Sequence, residues 1–203
     1  MHIPDGFLDA KTLITTNAIS LTALFAAVKK VNAKFSPHRI PLMGVLASFA
    51  FAAQLLAFPV IGGTSAHITG AVLLAVILGP YTAVVLIATV LLLQSLLFQH
   101  GGILTFGANL LNLGVIGAML GYGLYRIRRT FWMAGMAAFI VIVLGGAAGA
   151  IELAASDRLP LDAALTGMIS AQGIVGIIEA FVTVSILRVI QKIRPDLLTL
   201  DKI

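Results

Sequence analysis

The chain has 203 residues, of which 60% are apolar and only 10% are charged. An average soluble domain carries about 25% charged residues, which cover its water-facing surface. The composition therefore excludes a soluble enzyme, a disordered chain and a secreted disulfide scaffold, and the long apolar runs indicate a polytopic helical membrane protein. The net charge of +5 is interpreted as a topology signal beside membrane spans, so no nucleic-acid partner is expected. Because there is no cysteine, a thiolate metal site and a disulfide are excluded.

The first residues differ from a secretory signal peptide. Such a signal begins with basic residues and continues with an apolar stretch, whereas this chain has no Lys or Arg before Lys11 and carries Asp5 and Asp9. We therefore expect the mature chain to begin at Met1, with residues 1–10 as a separate terminal segment.

Seven membrane-spanning helices are predicted within a single integral membrane domain, residues 1–203. A span needs about 20 residues at 1.5 Å each, so the apolar stretch 66–99 is too long for one helix. Gly79-Pro80 indicates a turn inside this stretch, because proline disfavours a helical residue before it. The predicted helices cover residues 12–30, 41–59, 67–79, 81–99, 106–125, 131–151 and 163–190.

The placement of basic residues favours seven helices over six. Cytoplasmic loops are rich in Lys and Arg, and with seven helices the three basic clusters fall on one side, whereas with six the middle cluster lies outside. The predicted fold class is therefore an all-α, multi-pass protein of the prokaryotic inner or plasma membrane, with its N-terminus outside and its C-terminus inside. The clusters are Lys29, Lys30, Lys34 and Arg39; Arg126, Arg128 and Arg129; and Arg188, Lys192, Arg194 and Lys202.

His2 occupies a chemically special position. A free terminal amine on Met1, the His2 backbone nitrogen and His2 Nδ1 can close a five-membered and a six-membered chelate ring around one metal ion. The amide must lose its proton, which Ni(II) and Cu(II) drive and Zn(II) generally does not. A fourth nitrogen would complete the square plane that suits these ions. The alternative interpretation is that His2 is only a polar residue near a terminus.

The predicted topology places two further histidines on the same outer face. His67 follows two glycines and is expected on the first turn of helix 67–79, with Thr64 or Ser65 as the N-cap. The positive end of that helix would keep the imidazole neutral, which is the metal-binding form. His67 is a candidate ligand, or alternatively a histidine hydrogen-bonded to a neighbouring loop. His100 opens a second glycine-bearing loop, where bracing the loop or supporting a ligand by a hydrogen bond is favoured over ligation.

Further polar residues are candidates for supporting roles. Asn109 begins the next helix and can hydrogen-bond to a ligand or to the terminal segment. It is a candidate, with Thr64, Ser65 and His100, for hydrogen bonds that orient the metal-binding groups. Glu179, which we place near mid-helix and far from the outer loops, is interpreted either as a transport or coupling residue or as an interhelix hydrogen-bonding group. A stripe of small residues, Gly44, Ser48 and Ala52, permits close helix packing, within the bundle or against a partner.

Three segments resemble the CbiM/NikM family, the substrate-binding membrane (S) subunits of energy-coupling factor (ECF) cobalt and nickel transporters. The first is the start Met1-His2-Ile3-Pro4-Asp5-Gly6-Phe7-Leu8. The second runs from Gly62-Gly63-Thr64-Ser65-Ala66-His67-Ile68-Thr69-Gly70 to Leu78-Gly79-Pro80. The third runs from Phe98-Gln99-His100-Gly101-Gly102-Ile103 to Gly107-Ala108-Asn109. Their order and spacing agree with the family over nearly the whole chain, although the last two helices match mainly by hydropathy.

The resemblance implies a metal site and a set of partners. The ion, Ni(II) or Co(II) as transported substrate, would be held by the terminal amine of Met1, the His2 backbone nitrogen, the His2 imidazole and His67. The variable Pro4-Asp5 position looks more nickel-like than cobalt-like. Two ATPase subunits, a transmembrane coupling subunit and sometimes a small accessory membrane subunit would deliver the ion inward.

Two other functions remain as alternatives. Glu179 and the intramembrane glutamines are compatible with an autonomous metal channel or secondary carrier. Ser65 and His67 together are compatible with an intramembrane hydrolase. The sequence contains no P-loop and no nucleophile elbow, so an ATP site in this chain and an enzymatic activity are not expected.

Overall fold

The computed structural model describes residues 2–33, 36–60 and 63–202, without the side chains of 199–202. Lys34 of the first basic cluster and Gly62 of the second motif therefore lie outside the described residues. The described part is a helical bundle with one β-hairpin. Its helices are α1 (Ala10–Ala33), α2 (Ile40–Leu55), α3 (Ala71–Leu78), α4 (Pro80–Phe98), α5 (Phe106–Ile127), α6 (Phe131–Ala155) and α7 (Leu161–Ile193). Short 3-10 turns cover Pro37–Arg39 and Pro195–Lys202, and the middle of α5, Leu111–Leu120, is π-helical.

Five of these helices, α1, α4, α5, α6 and α7, are long and apolar enough to cross a membrane. α2 has 16 residues and α3 has 8, fewer than the about 20 that a full span requires. The bounds of the long helices agree with the predicted ones to within a few residues. The count of seven spans and the orientation of the termini stay predictions.

The predicted helix 41–59 is too long, because the chain leaves the helix at Leu55 and forms a hairpin. β1 (Phe58–Val60) pairs antiparallel with β2 (Thr64–Ala66). Pro59 has no backbone N–H and cannot extend a helix from its interior, but it is tolerated in an edge strand, and both strands of a two-stranded hairpin are edge strands. The fold class is thus mostly helical, with this hairpin as the departure from all-α.

The predicted helix 67–79 starts later than expected. Its N-cap is Gly70, which has a φ of +71°, and the first helical residue is Ala71. The expectation that Thr64 or Ser65 caps this helix is wrong, since both lie in β2. His67 consequently lies in an irregular loop of residues 67–70, the His67 loop, three residues ahead of the cap. The backbone turns into α3 through a left-handed glycine, a conformation that glycine adopts without steric cost.

The predicted turn at Gly79-Pro80 is confirmed. Gly79 has a φ of +85° between α3 and α4, and Pro80 is the first residue of α4, a position that suits its fixed φ and missing N–H. All eight residues of α3 are buried, and α3 packs against α4, α5 and α6. The half-length helix is therefore the centre of the bundle, and it holds the His67 loop at its N-terminus inside the protein.

The small-residue stripe on α2 points away from the rest of the chain. Gly44, Ser48 and Ala52 are exposed, whereas the opposite face of the helix, with Leu46 and Ala50, is buried. The prediction that this stripe packs within the bundle is therefore wrong for the described residues. Its contact with a partner stays a prediction.

α1 crosses α5 at a glycine. The Ser20 hydroxyl donates to the Gly107 carbonyl at 2.6 Å, and Asn17 donates to the Leu104 carbonyl at 2.9 Å. A Cβ at position 107 would overlap the Asn17 backbone. The helix crossing therefore requires glycine, because a backbone atom cannot move aside as a flexible side chain can.

We expect Gly107→Ala to force α1 away from α5 and to lower the free energy of unfolding by about 1–3 kcal/mol, the usual cost of overpacking. Gly123→Ala, in the same helix, is the control, since a Cβ there meets nothing within 4 Å. Thermal unfolding in detergent measures both variants, and equal melting temperatures would contradict the proposed contact.

Candidate metal site

The N-terminal segment, residues 2–9, folds back into the bundle. Ile3 is fully buried, and its N–H donates to Asn109 Oδ1 at 2.8 Å. Asn109 Nδ2 in turn donates to the Ile3 carbonyl at 3.0 Å, which also accepts from the Thr105 hydroxyl at 2.6 Å. One side-chain amide thus satisfies both backbone groups of Ile3, and this fixes the position of His2 next to it. Asn109 therefore contacts the terminal segment, one of its two predicted roles.

Two charged residues secure the rest of the segment. Asp5 accepts from the backbone N–H groups of Ile103 and Thr105, each at 3.0 Å. Arg158 Nη2 donates to the Gly6 carbonyl at 2.8 Å. These contacts fasten the segment to the loop before α5 and to the loop before α7. Sequence reasoning missed both roles, because a contact across about 100 or 150 residues leaves no local pattern.

Three of the four histidines meet at one point. The ring centroids of His2 and His67 are 4.5 Å apart, and those of His2 and His100 are 4.2 Å apart. One ring nitrogen from each of His2, His67 and His100 lies within 4.8 Å of the others. His2 and His67 are buried and His100 is partly buried. The ring of His100 therefore belongs to the cluster itself. A residue that only braced its own loop would not need to lie against His2.

The hydrogen bonds of His2 and His67 indicate which ring nitrogen can bind a metal. His2 Nε2 lies 3.0 Å from Gln94 Oε1, and His67 Nδ1 lies 3.0 Å from the Ile68 carbonyl. Both partners are acceptors, so these nitrogens carry the protons and the lone pairs lie on His2 Nδ1 and His67 Nε2. His2 Nδ1 is buried without a hydrogen-bond partner among the described residues. Gln94, one of the predicted intramembrane glutamines, thus presents His2 Nδ1 in its unprotonated form.

Burial keeps the cluster neutral. It lowers the pKa of His2 and His67 well below the ordinary value of 6.5, and neighbouring positive charge lowers both further. Burial also lowers the pKa of His100. Charging an imidazole costs more where water is excluded, and the neutral ring is the form that binds metals. The expected cause, the positive end of a helix at His67, is wrong because His67 precedes that helix.

The two hydroxyl residues before His67 differ in their contacts. Ser65 Oγ accepts from the His2 backbone N–H at 3.4 Å. This is the nitrogen that must lose its proton in the predicted chelate. Thr64 Oγ1 instead donates to Met168 Sδ at 3.0 Å, on α7. Of these two residues Ser65 contacts His2 directly, whereas Thr64 fastens the hairpin to α7. Met1, the other predicted ligand residue, lies outside the described residues.

Glu179 lies against the His67 loop, so the expectation that it is far from the outer loops is wrong. Its carboxylate accepts from the Thr69 N–H at 2.8 Å, the Thr69 hydroxyl at 2.6 Å and the Gly70 N–H at 2.9 Å. The loop reaches deep into the bundle because α3 is half the length of a span. The carboxylate therefore contacts the residues that immediately follow His67 and Ile68.

The donors of the cluster are nitrogens. In the described chain the metal-ligating side chains that converge here are imidazoles, without a carboxylate among them, and the protein has no cysteine. Imidazole suits Zn, Cu, Fe and Ni, and the hard ions Mg²⁺ and Ca²⁺ prefer oxygen. The site is thus suited to a divalent transition metal.

Comparisons with known proteins agree with this chemistry. The family model described as "CbiM: Cobalt uptake substrate-specific transmembrane region" matches residues 2–197. The fused nickel transport protein NikMN of Rhodobacter capsulatus is 33% identical over 98% of this chain, which spans 64% of that protein. The cobalt transport protein CbiM of Desulforamulus reducens is 37% identical over 63% of this chain and 52% of its own length.

A solved structure has the same fold. The crystal structure of a truncated transition metal transporter superposes with a TM-score of 0.89 and 33% identity, covering 95% of this chain and 99% of that one. With the family model matching nearly the whole sequence, the chain belongs to the CbiM family of cobalt and nickel transport proteins.

Proposed function

We propose that this chain captures Ni(II) or Co(II) at the outer face of the prokaryotic cell membrane through four nitrogens. These are the terminal amine of Met1, the His2 backbone nitrogen, His2 Nδ1 and His67 Nε2. The single observation that carries the proposal is His2 Nδ1, which is buried in the cluster without a partner in the described chain. A buried polar atom without a partner costs about 1–3 kcal/mol, and coordination of a metal removes that cost.

The separation of the His2 and His67 rings is compatible with adjacent positions in a planar arrangement. Two imidazoles in adjacent positions on one ion, with nitrogens at about 2.0–2.1 Å from the metal, have ring centroids roughly 4.5 Å apart. The observed separation of the His2 and His67 centroids is 4.5 Å. A square plane of nitrogens suits Ni(II), and the amide nitrogen must be deprotonated to join it. We therefore favour nickel, with cobalt close behind.

We further propose that the chain is the substrate-binding subunit of an ECF-type transporter. ATPase subunits and a transmembrane coupling subunit, with or without a small accessory subunit, would drive inward delivery, and this chain would be no enzyme. The proposal is supported by family membership and by the terminal segment, which folds back into the bundle and brings His2 to the cluster. The alternative is an autonomous metal channel or secondary carrier.

The terminal amine is tested with a removable extension. We expect two residues added before Met1 to lower the affinity for Ni(II) by more than about 100-fold, since the loss of outer hydrogen-bonding groups alone costs roughly 10–100-fold. Cleavage directly before Met1 should restore the affinity, measured by calorimetry on the same preparation. His38→Ala removes an imidazole outside the cluster and is the control. Full affinity in the extended chain would contradict the chelate.

Metal preference follows from the planar donors. We expect Ni(II) to bind more tightly than Zn(II), because Zn(II) does not readily displace the amide proton, and Co(II) to compete with Ni(II). Competition titrations measure the order, and anomalous maps at the nickel and cobalt absorption edges locate the ion. Zn(II) binding as tight as Ni(II), or an ion distant from His2 and His67, would rule out the four-nitrogen site.

Dependence on partners separates the two transport functions. We expect liposomes that contain this chain alone to show no metal flux, and ATP-dependent uptake to appear only when the ATPase and coupling subunits are present. Liposomes with the partner subunits but with a His2→Ala chain are the control. Sustained flux through the isolated chain would favour the channel or carrier instead.

A further inference from the structure

Glu179 is a buried carboxylate whose hydrogen bonds, within the described part of the chain, all come from one short loop. The side chain is 1% exposed, and three donors converge on it: the Thr69 N–H, the Thr69 hydroxyl and the Gly70 N–H. Two of these are backbone groups, so the carboxylate fixes the main chain and not merely a side chain. A buried carboxylate with several hydrogen bonds is costly to build and marks a functional group in membrane proteins by default.

The Thr69 N–H and the Ile68 carbonyl belong to the same peptide unit. On one side of this unit the N–H donates to Glu179 Oε2 at 2.8 Å. On the other side the carbonyl lies 3.0 Å from His67 Nδ1 and accepts its proton. Glu179, one peptide and His67 therefore form a continuous series of hydrogen bonds, which leaves Nε2 as the His67 nitrogen with a lone pair.

Hydrogen bonds in such a chain polarise one another in a low-dielectric interior. A carboxylate that accepts from the N–H polarises the peptide, and this polarisation places more negative charge on the carbonyl oxygen. The carbonyl then pulls harder on the Nδ1 proton, which raises the electron density at Nε2. Groups that accept the second N–H of a metal-binding histidine fix its ring and raise its basicity in the same way.

Further hydrogen bonds hold the His67 loop and restrict rotation of the Ile68–Thr69 peptide. Gln54 Nε2 donates to the Thr69 carbonyl at 3.0 Å, and the Ala71 N–H lies 3.2 Å from Thr69 Oγ1. Together with the bonds to Glu179, both backbone groups and the hydroxyl of Thr69 are engaged. The Ile68–Thr69 peptide plane is therefore fixed on its Thr69 side.

We propose that Glu179 is a positioning residue of the metal site, which sets the orientation and the donor strength of His67 Nε2 through the Ile68–Thr69 peptide. The inference rests on the proposed function, because it takes His67 as a ligand. It assigns the buried carboxylate to the capture of the ion at the outer face.

The test is the pair of variants Glu179→Gln and Glu152→Gln. Glu152 is a buried carboxylate on α6 that accepts from Asn112 Nδ2 at 2.8 Å and makes no hydrogen bond with the His67 loop among the described residues. We expect Glu179→Gln to weaken Ni(II) binding about 10-fold, to speed release into a chelator, and to shift the nickel d–d absorption to lower energy. Glu152→Gln should leave the absorption and the release rate unchanged.

A second pair of variants distinguishes polarisation through the Ile68–Thr69 peptide from a purely structural role of the Glu179 contacts. Thr69→Val removes the hydroxyl but keeps the Thr69 N–H, so we expect a lower melting temperature with an unchanged nickel spectrum. Glu179→Asp keeps the charge, and we expect release at a rate between those of the wild type and Glu179→Gln. If Glu179→Gln does not fold, release from Glu179→Asp at the wild-type rate overturns the inference.

The outcomes distinguish the two proposals. A wild-type chain without the spectrum of planar Ni(II) overturns the proposed function and the inference together. A normal wild-type spectrum, with Glu179→Gln indistinguishable from Glu152→Gln in absorption and release, overturns the inference alone.

Discussion

The position of the candidate metal site depends on two hydrogen bonds between the Asn109 side chain and the backbone of Ile3. Each such bond contributes only about 0.5–1.5 kcal/mol net, but leaving a buried N–H or carbonyl unsatisfied costs about 1–3 kcal/mol. Because Ile3 is fully buried, Asn109 stabilises the folded-back segment mainly by preventing that penalty. His2 then lies beside His67 as a consequence of where Ile3 is held.

Burial of three imidazoles in one cluster is tolerated because none of them carries a charge. The pKa of each is lowered by burial, so the protein avoids repulsion between positive rings at neutral pH. The protonated nitrogens, His2 Nε2 and His67 Nδ1, each donate to one acceptor: Gln94 for His2 and the Ile68 carbonyl for His67. The bundle therefore presents the unprotonated nitrogens of His2 and His67 to a cation. On a water-exposed surface the same nitrogens would be hydrated.

The sequence predicted what local patterns determine. The apolar run 131–151 became Phe131–Ala155, and Gly79-Pro80 formed the expected turn. It failed at the end of the predicted helix 41–59, because the few residues of β1, Phe58–Val60, fit a helix or a strand equally well and the choice depends on pairing with β2. It placed His2 and His67 on one face, but Gln94 and Glu179 contact their partners across 92 and 110 residues. No periodicity or spacing records such contacts, so their roles required the folded chain.

The same long-range contacts mean that the site exists only in the packed bundle. His2, His67, Gln94 and Asn109 come from separate segments, and Glu179 from the last helix. A ligand that binds only the folded arrangement stabilises it by an amount that grows with its concentration relative to its dissociation constant. If the metal is held at His2 and His67, its binding and the packing of the His67 loop against α7 are one coupled equilibrium. If Glu179 also positions His67 as inferred, a motion that separates Glu179 from Thr69 weakens the hold on the ion, so the contact between the His67 loop and α7 is where capture and release can be controlled.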